Sequence, residues 1–457
     1  MQSPMPSSTL AGGGSIAPMI PRSTIDQIAA SLEVAHPSGL GFGVAAVEAD
    51  PLAFVRAGAD QFGRAFFFST PDGDGFGGLG TAWQATASGA GRFATLRSAI
   101  EDLALPEPFR AVVGFSFSQE GPHSPAWERF ESAQAVLPQA AIIPAPQGTV
   151  LAVAVPAGSD PEQLLAQLRN LSSPGDPAYP DLGGHTLESV PPVADWRAAV
   201  AEAVAAIEED SLRKVVLSRS VIVRSDAAPD GFDLLHHLEA SYPRCFGYGW
   251  RVGESTFLGA SPELLVSSVD GAVSSNPLAG SAPRGEGDED DRALAEGLMR
   301  SPKDRIEHQL VVDDVVNRLE PFVDRVVVPD NPSLKRMATV QHLSTPVHGS
   351  LTAETHVLDL VQVLHPTPAV GGTPRAQATA FIDKLEGFDR GWYAGGTGWV
   401  DGSGDGEFAI ALRCGLIEGA EAHIFAGAGI VADSDPDAEL LETRLKLRPL
   451  LELLAAT

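Results

Sequence analysis

Glu439, Glu442 and Lys446 stand at spacings i, i+3 and i+7 in AELLETRLKL (438–447). On an α-helix that spacing gathers them within an arc of roughly 60°. A second acidic pair of the same spacing, Asp304 and Glu307, lies in SPKDRIEH (301–308). Two helices with paired carboxylates can face each other across a hard divalent cation. Mg²⁺ takes one or two protein carboxylates and completes its octahedron with water and an anionic substrate. The same pairs also suit a solvated helix face, where a Glu and a Lys one turn apart add about 0.3 kcal/mol. His308 follows Glu307 directly and so points about 100° away, which suits a core or capping role better than a ligand role.

Other positions offer acid–base and anion-binding chemistry. Lys214 opens RKVVLSRSVIV (213–223), on the same side of a strand as Val216 and Ser218. A buried lysine near neutrality is a general base, although a lysine snorkelling from a strand end has the same signature. Glu263 in GASPELL follows Ser-Pro at a turn and is either a general acid or a cap. Arg413 lies in the apolar stretch AIALRCGLI, read as strand, and calls for an anionic partner from the protein or a ligand. The glycines of PLAGSAPRG (277–285) and FAGAGIV (425–431) would let backbone N–H groups approach an anion, or simply serve small-residue turns. His342 and His365 fall at loop junctions and read as structural.

The elements that must position these groups can be sketched from pattern. The chain has 457 residues, more than a single core of roughly 250–300 usually spans, which implies two domains or one large two-sheet body. Residues 1–22 are expected to be a disordered Ser/Pro/Gly tail, not a signal peptide. Residues 23–190 alternate short apolar segments with turns, and 191–457 hold the candidate groups. A helix is expected over DWRAAVAEAVAAIEEDS. A second helical stretch at 287–322 breaks near 300, where Ser301 caps and Pro302 takes the first helical position. GWYAGGTGWVD, GEFAIALRCGLI and AHIFAGAGIV read as three consecutive strands. A last helix opens with Asp435 as cap and Pro436 first.

Composition narrows the partners. With 31 basic against 59 acidic residues, the net charge of −28 repels phosphate backbones and disfavours nucleic acid. A small anion would need local cations or a metal. Lys214, Lys303, Lys335, Lys384 and Lys446 are the only lysines, so each merits scrutiny. No apolar run reaches the ~18–20 residues of a membrane helix, and two cysteines, Cys245 and Cys414, give no disulfide framework. A soluble cytoplasmic protein is expected.

Taken in order, RKVVLSR, GASPELL, SNPLAGSAPRG, SPKDRIEH, QHLSTP, HPTPAVGG, GFDRGWYAGGTGW, ALRCGLI, FAGAGIV and ELLETRLKL resemble the motifs of the chorismate-binding enzymes, particularly those that form isochorismate in catechol-siderophore pathways. The resemblance spans about 210–450 and is looser over 23–190. It implies an α+β fold of two large, mostly antiparallel sheets packed together, with helices outside and the site between the sheets. It also implies a monomer that binds chorismate with Mg²⁺. By resemblance, Lys214 activates water, Glu263 protonates the departing C4 hydroxyl, and Glu307 and Glu442 hold Mg²⁺. Asp304 and Glu439 then hold metal-bound water. Arg413, Lys446, Tyr393 and the amides around Gly427 and Gly429 fall where the family grips carboxylates, and Gly280, Ser281 and His342 line the same pocket. Ala369 stands where lyase members that expel pyruvate carry threonine, which favours release of isochorismate over conversion to salicylate.

Overall fold

The computed structural model describes residues 17–32, 36–156 and 158–455. Its described residues form an α+β body built on a 12-stranded sheet, an 8-stranded sheet and a separate 3-stranded sheet, with antiparallel pairing throughout the named strand pairs. Both large sheets draw strands from either side of residue 190. Arg64–Ser69 pairs with Phe246–Val252 in the larger, and Arg110–Phe115 pairs with Gly396–Asp401 in the smaller.

Most strand residues are buried on both faces, which explains near-continuous apolar runs such as Ala111 to Phe115. One core fills the space between the large sheets, joining Phe66, Trp250, Phe257 and Leu217 to Val112, Phe115, Val266 and Phe408. Trp250 donates from Nε1 to Thr397 Oγ1 at 2.8 Å, so the one polar atom of that buried indole bridges the sheets. On the outer face of the 12-stranded sheet, helices Arg22–Ser31, Pro51–Phe62 and Pro161–Arg169 cover a second cluster. Helices Gly231–Ser241 and Pro436–Ala455 contribute to a third. No helix among the described residues is long and apolar enough to cross a membrane.

Two expectations change here. Residues 1–16 of the expected tail lie outside the described residues, but the stretch from 17 to 22 belongs to the body. Met19 N donates to Leu171 O at 2.9 Å, Ile20 is buried, and Arg22 begins a helix. Averaging composition over a Ser/Pro/Gly-rich segment hides the two apolar side chains that dock it. The stretch GEFAIALRCGLI is not one strand. Gly406–Ile410 belongs to the 8-stranded sheet and Cys414–Glu418 to the 12-stranded one. Between them Arg413 takes φ 50°, left-handed backbone that is uncommon for a side chain with a Cβ. The apolar alternation runs through the crossover, so period alone could not reveal it.

Ser261 to Leu264 makes the matching crossover. It joins Ser255–Ser261 of the 12-stranded sheet to Leu264–Val269 of the 8-stranded one. The two crossovers lie against each other: Ala260 N donates to Arg413 O at 3.3 Å and Ile410 N to Glu263 O at 3.1 Å. Glu263 and Arg413 are thereby placed at the seam between the sheets.

Candidate active site

Strand Lys214–Ser225 and its partner Glu421–Ile430 form one wall of a cavity at this seam, with Val216 opposite Gly429 and Ser218 opposite Gly427. A Cβ on Gly429 would meet Glu307 Oε1 at 2.2 Å, and one on Gly427 would meet Ser218 Oγ at 2.7 Å. These glycines serve by having no side chain, which lets the acidic helix close onto the strand. The 3-stranded sheet forms another wall. Its strand Leu278–Pro283 carries Gly280 and Ser281, and its strand Val340–Ser344 carries His342. His342 therefore sits mid-strand rather than at a loop junction, because a short strand between Met337 and Pro346 leaves little alternation to read.

Helices Pro302–Leu319 and Pro436–Ala455 close the cavity. The first is capped by Ser301 Oγ, which accepts from Asp304 N at 3.3 Å, and the second by Asp435 Oδ1, which accepts from Ala438 N at 2.9 Å. The cavity leaves about 60 Å³ for the centres of water-sized spheres and is lined by Glu263, Gly280, Ser281, Glu307, His342, Ala369, Tyr393, Arg413, Gly427, Gly429, Glu442 and Lys446. Lys214, Asp304 and Glu439 stand behind that lining, each beside a residue that forms it or its helix. His308, by contrast, turns away to Thr345 Oγ1 at 2.7 Å, and His365 is spent on Ala394 O at 2.9 Å.

Electrostatics separate the groups by task. Glu263 is buried, and burial pushes its carboxyl up to about 7, although the Leu278 amide and the charges of Lys214, Lys335 and Arg413 pull the other way. Its Oε1 is buried with no hydrogen-bond partner, so a proton donor or acceptor faces the cavity unspent. Arg413 Nη2 donates to His342 Nε2 at 2.9 Å, which leaves the ring proton on Nδ1, facing Gly280 O at 3.2 Å and Ser281 Oγ at 2.9 Å. Burial, then Arg413 and Lys446, hold that imidazole far below its usual range, so it is neutral. Arg413 thus has a neutral ring as its partner and no carboxylate within ion-pair distance among the described residues. A buried guanidinium so placed is available to an anion. The Tyr393 ring stacks on Phe425 at 5.4 Å, and burial raises its phenol to about 12.

The acidic groups form a cradle between the two helices. Glu307 pairs with Lys214 at 3.0 Å, Glu439 with Lys303 at 2.7 Å, and Glu442 with Lys446 at 2.5 Å. Burial raises the Asp304 carboxyl, and the charges of Glu307 and Glu442 raise it further. Burial and Glu442 do the same to Glu439, while at Glu442 burial is outweighed by Lys446 and the carboxyl stays below its usual range. Mutual repulsion of this kind is what a bound cation relieves. Among the described residues no group of three or more His, Cys, Asp or Glu side chains is arranged to hold a metal by itself. Two cavity-lining carboxylates with acidic neighbours fit instead a hard ion that keeps water and takes substrate oxygen.

Sequence reasoning named Val216 only as a neighbour of Lys214 and passed over Leu278, Leu412 and Phe425; all four shape the cavity without titratable groups. It counted Lys335 and Lys303 but gave them no role. Four of the five lysines surround the site, whereas Lys384 pairs with Glu202 on the surface. That scarcity was the available signal.

An unspent buried acid, an unpaired buried guanidinium and a carboxylate cradle at the seam of two antiparallel sheets define a site for a small polyanion. The chain belongs to the chorismate-binding enzymes: the family profile described as "Chorismate binding enzyme" matches residues 29–455. It is 37% identical over 428 residues to the salicylate biosynthesis isochorismate synthase of Pseudomonas aeruginosa, covering 89% of this chain and 88% of that one. It is 33% identical over 447 residues to the isochorismate synthase MenF of Bacillus subtilis, covering 92% and 94%. Among solved structures, the menaquinone-specific isochorismate synthase MenF of Escherichia coli matches with a TM-score of 0.78 at 27% identity, covering 95% of this chain and 99% of that one.

Proposed function

We propose that this chain is an isochorismate synthase, an isomerase that adds water to chorismate at C2 and removes the C4 hydroxyl. The observation that carries the reading is Glu263, a carboxyl held near pKa 7 with an unpartnered oxygen at the cavity. Hydroxide is a poor leaving group, and a carboxylic acid protonated at neutral pH can donate to the C4 oxygen as its bond breaks. Lys214, buried at the far end of the Glu307 pair, takes the proton of the attacking water. The ring double bonds shift between the two events, so one water enters and one leaves. Arg413 and Lys446 receive the substrate's carboxylates, and the His342 ring holds the guanidinium in place.

Glu307 and Glu442, with Asp304 and Glu439 beside them, would hold Mg²⁺, which when bound supplies positive field for the substrate's ring carboxylate. The methyl of Ala369 on the cavity wall supports release of isochorismate rather than further loss of pyruvate. Free, buried Cys245 and Cys414 suit a reducing cytoplasm. Purified protein incubated with chorismate and Mg²⁺, with products resolved by chromatography, tests the reading. Isochorismate is expected; salicylate with pyruvate, anthranilate, or unchanged chorismate would each overturn it.

A further inference from the structure

We propose that Lys335, which no reading so far has given a role, is a positioning residue that fixes the general acid Glu263 and moderates its proton affinity. This inference rests on the reading of Glu263 as general acid. Lys335 lies in strand Ser333–Arg336 of the 3-stranded sheet, directly opposite His342 and therefore on the cavity side of that sheet. Its ammonium donates to the carbonyl of Pro262 at 2.6 Å, the residue immediately before Glu263 in the crossover between the large sheets.

The other four lysines all end on carboxylates. Lys335 makes no ion pair among the described residues, and burial lowers its pKa. A half-buried ammonium without a counter-ion is costly unless its charge is wanted where it stands. What stands there is Glu263. The 3-stranded sheet thereby holds the crossover at the Pro262 carbonyl through Lys335, and the Leu278 amide of the same sheet favours the Glu263 carboxylate.

The charged groups facing Glu263 are Lys214 from the long strand, Arg413 from the second crossover and Lys335, with the neutral His342 beside them. Behind Lys335 lies the Cys245 thiol, which burial keeps protonated. Arg413 and Lys335, and Lys214 while it carries its proton, favour the carboxylate and so oppose the effect of burial. An acid raised without limit would donate poorly, whereas one balanced near neutrality can give up its proton and regain it each turnover.

The test compares Lys335→Met and Lys335→Arg in the full chain. Readouts are kcat and KM for chorismate against pH, together with infrared titration of the protonated carboxyl band that Glu263→Gln removes. Removing the cation should raise the Glu263 pKa, moving the alkaline limb of kcat/KM and the infrared midpoint up by about half a unit or more. It should lower kcat about tenfold with KM within about twofold. Lys335→Arg, which keeps charge and donor, should restore the wild-type limb. An unmoved limb and midpoint would overturn the proposal, as would a rise in KM alone, which would make Lys335 a substrate contact. If Lys335→Met does not fold, Lys335→Gln, which keeps a donor without the charge, is judged by the same shift. The infrared midpoint needs no turnover, so a Lys335-dependent shift in a protein that makes no isochorismate would refute the function and leave the positioning role standing.

Discussion

In the proposed mechanism Glu263 and Lys214 divide the acid–base work, and their surroundings differ. Burial keeps the Glu263 carboxyl protonated and no cation among the described residues is in hydrogen-bond contact with it, while Lys214 rests against Glu307 at 3.0 Å. Replacing Glu263 by Gln should lower kcat by about 10²- to 10⁴-fold with little change in KM, measured by steady-state kinetics. The sign of the pH effect follows from the acid's role. Glu263 must carry its proton to donate, so kcat/KM should fall on the alkaline side of about pH 7, and that limb should vanish in the Gln variant. Arg413→Gln removes the buried charge and its hold on His342. It should raise the Kd for chorismate by about tenfold or more, measured by calorimetric titration. These residues were legible in sequence because each is a charged group in an apolar or glycine-rich context. Lys335 was not, since its partner is a main-chain carbonyl 73 residues away and main-chain partners leave no mark on sequence.

At the scale of elements, the cradle depends on two helices held at one angle. Lys303 reaches from the Pro302 helix to Glu439 on the Pro436 helix and ties them at 2.7 Å. Glu442 lies at the lining with its side chain 24% exposed and its principal partner, Lys446, on its own helix. Glu442→Ala should therefore abolish Mg²⁺-dependent turnover while the melting temperature stays within a few degrees. Magnesium titration of activity and calorimetry check the two halves of that statement. A surface ion pair would have left turnover intact. The caps at Ser301 and Asp435 and the i, i+3 spacings made both helices readable in advance, since these are local signals. The 3-stranded sheet and the splitting of GEFAIALRCGLI were not readable. Which sheet a strand joins is decided by partners far along the chain, and alternation is the same in either.

At the scale of the whole molecule, the cavity exists only where both large sheets, the small sheet and two helices meet. A ligand bound there engages all of them, and occupancy should stabilise the fold as a unit. Saturation with chorismate at a hundredfold its Kd, in the Lys214→Ala variant to prevent turnover, should add about 2.7 kcal/mol and raise a single thermal transition. Differential scanning calorimetry with and without substrate measures it; separate shifts of two transitions would show that the sheets melt independently.

The paired crossovers also decide how substrate gets in. Parting the two large sheets would break the contacts from Ala260 to Arg413 and from Ile410 to Glu263, the very links that present the acid and the guanidinium. The sheets are thus the fixed jaws of the site, and admission belongs to its rim. There the small sheet and the carboxylate-bearing helices are held by single side-chain contacts, Lys335 to the Pro262 carbonyl and Lys303 to Glu439, and not by strand pairing with either large sheet.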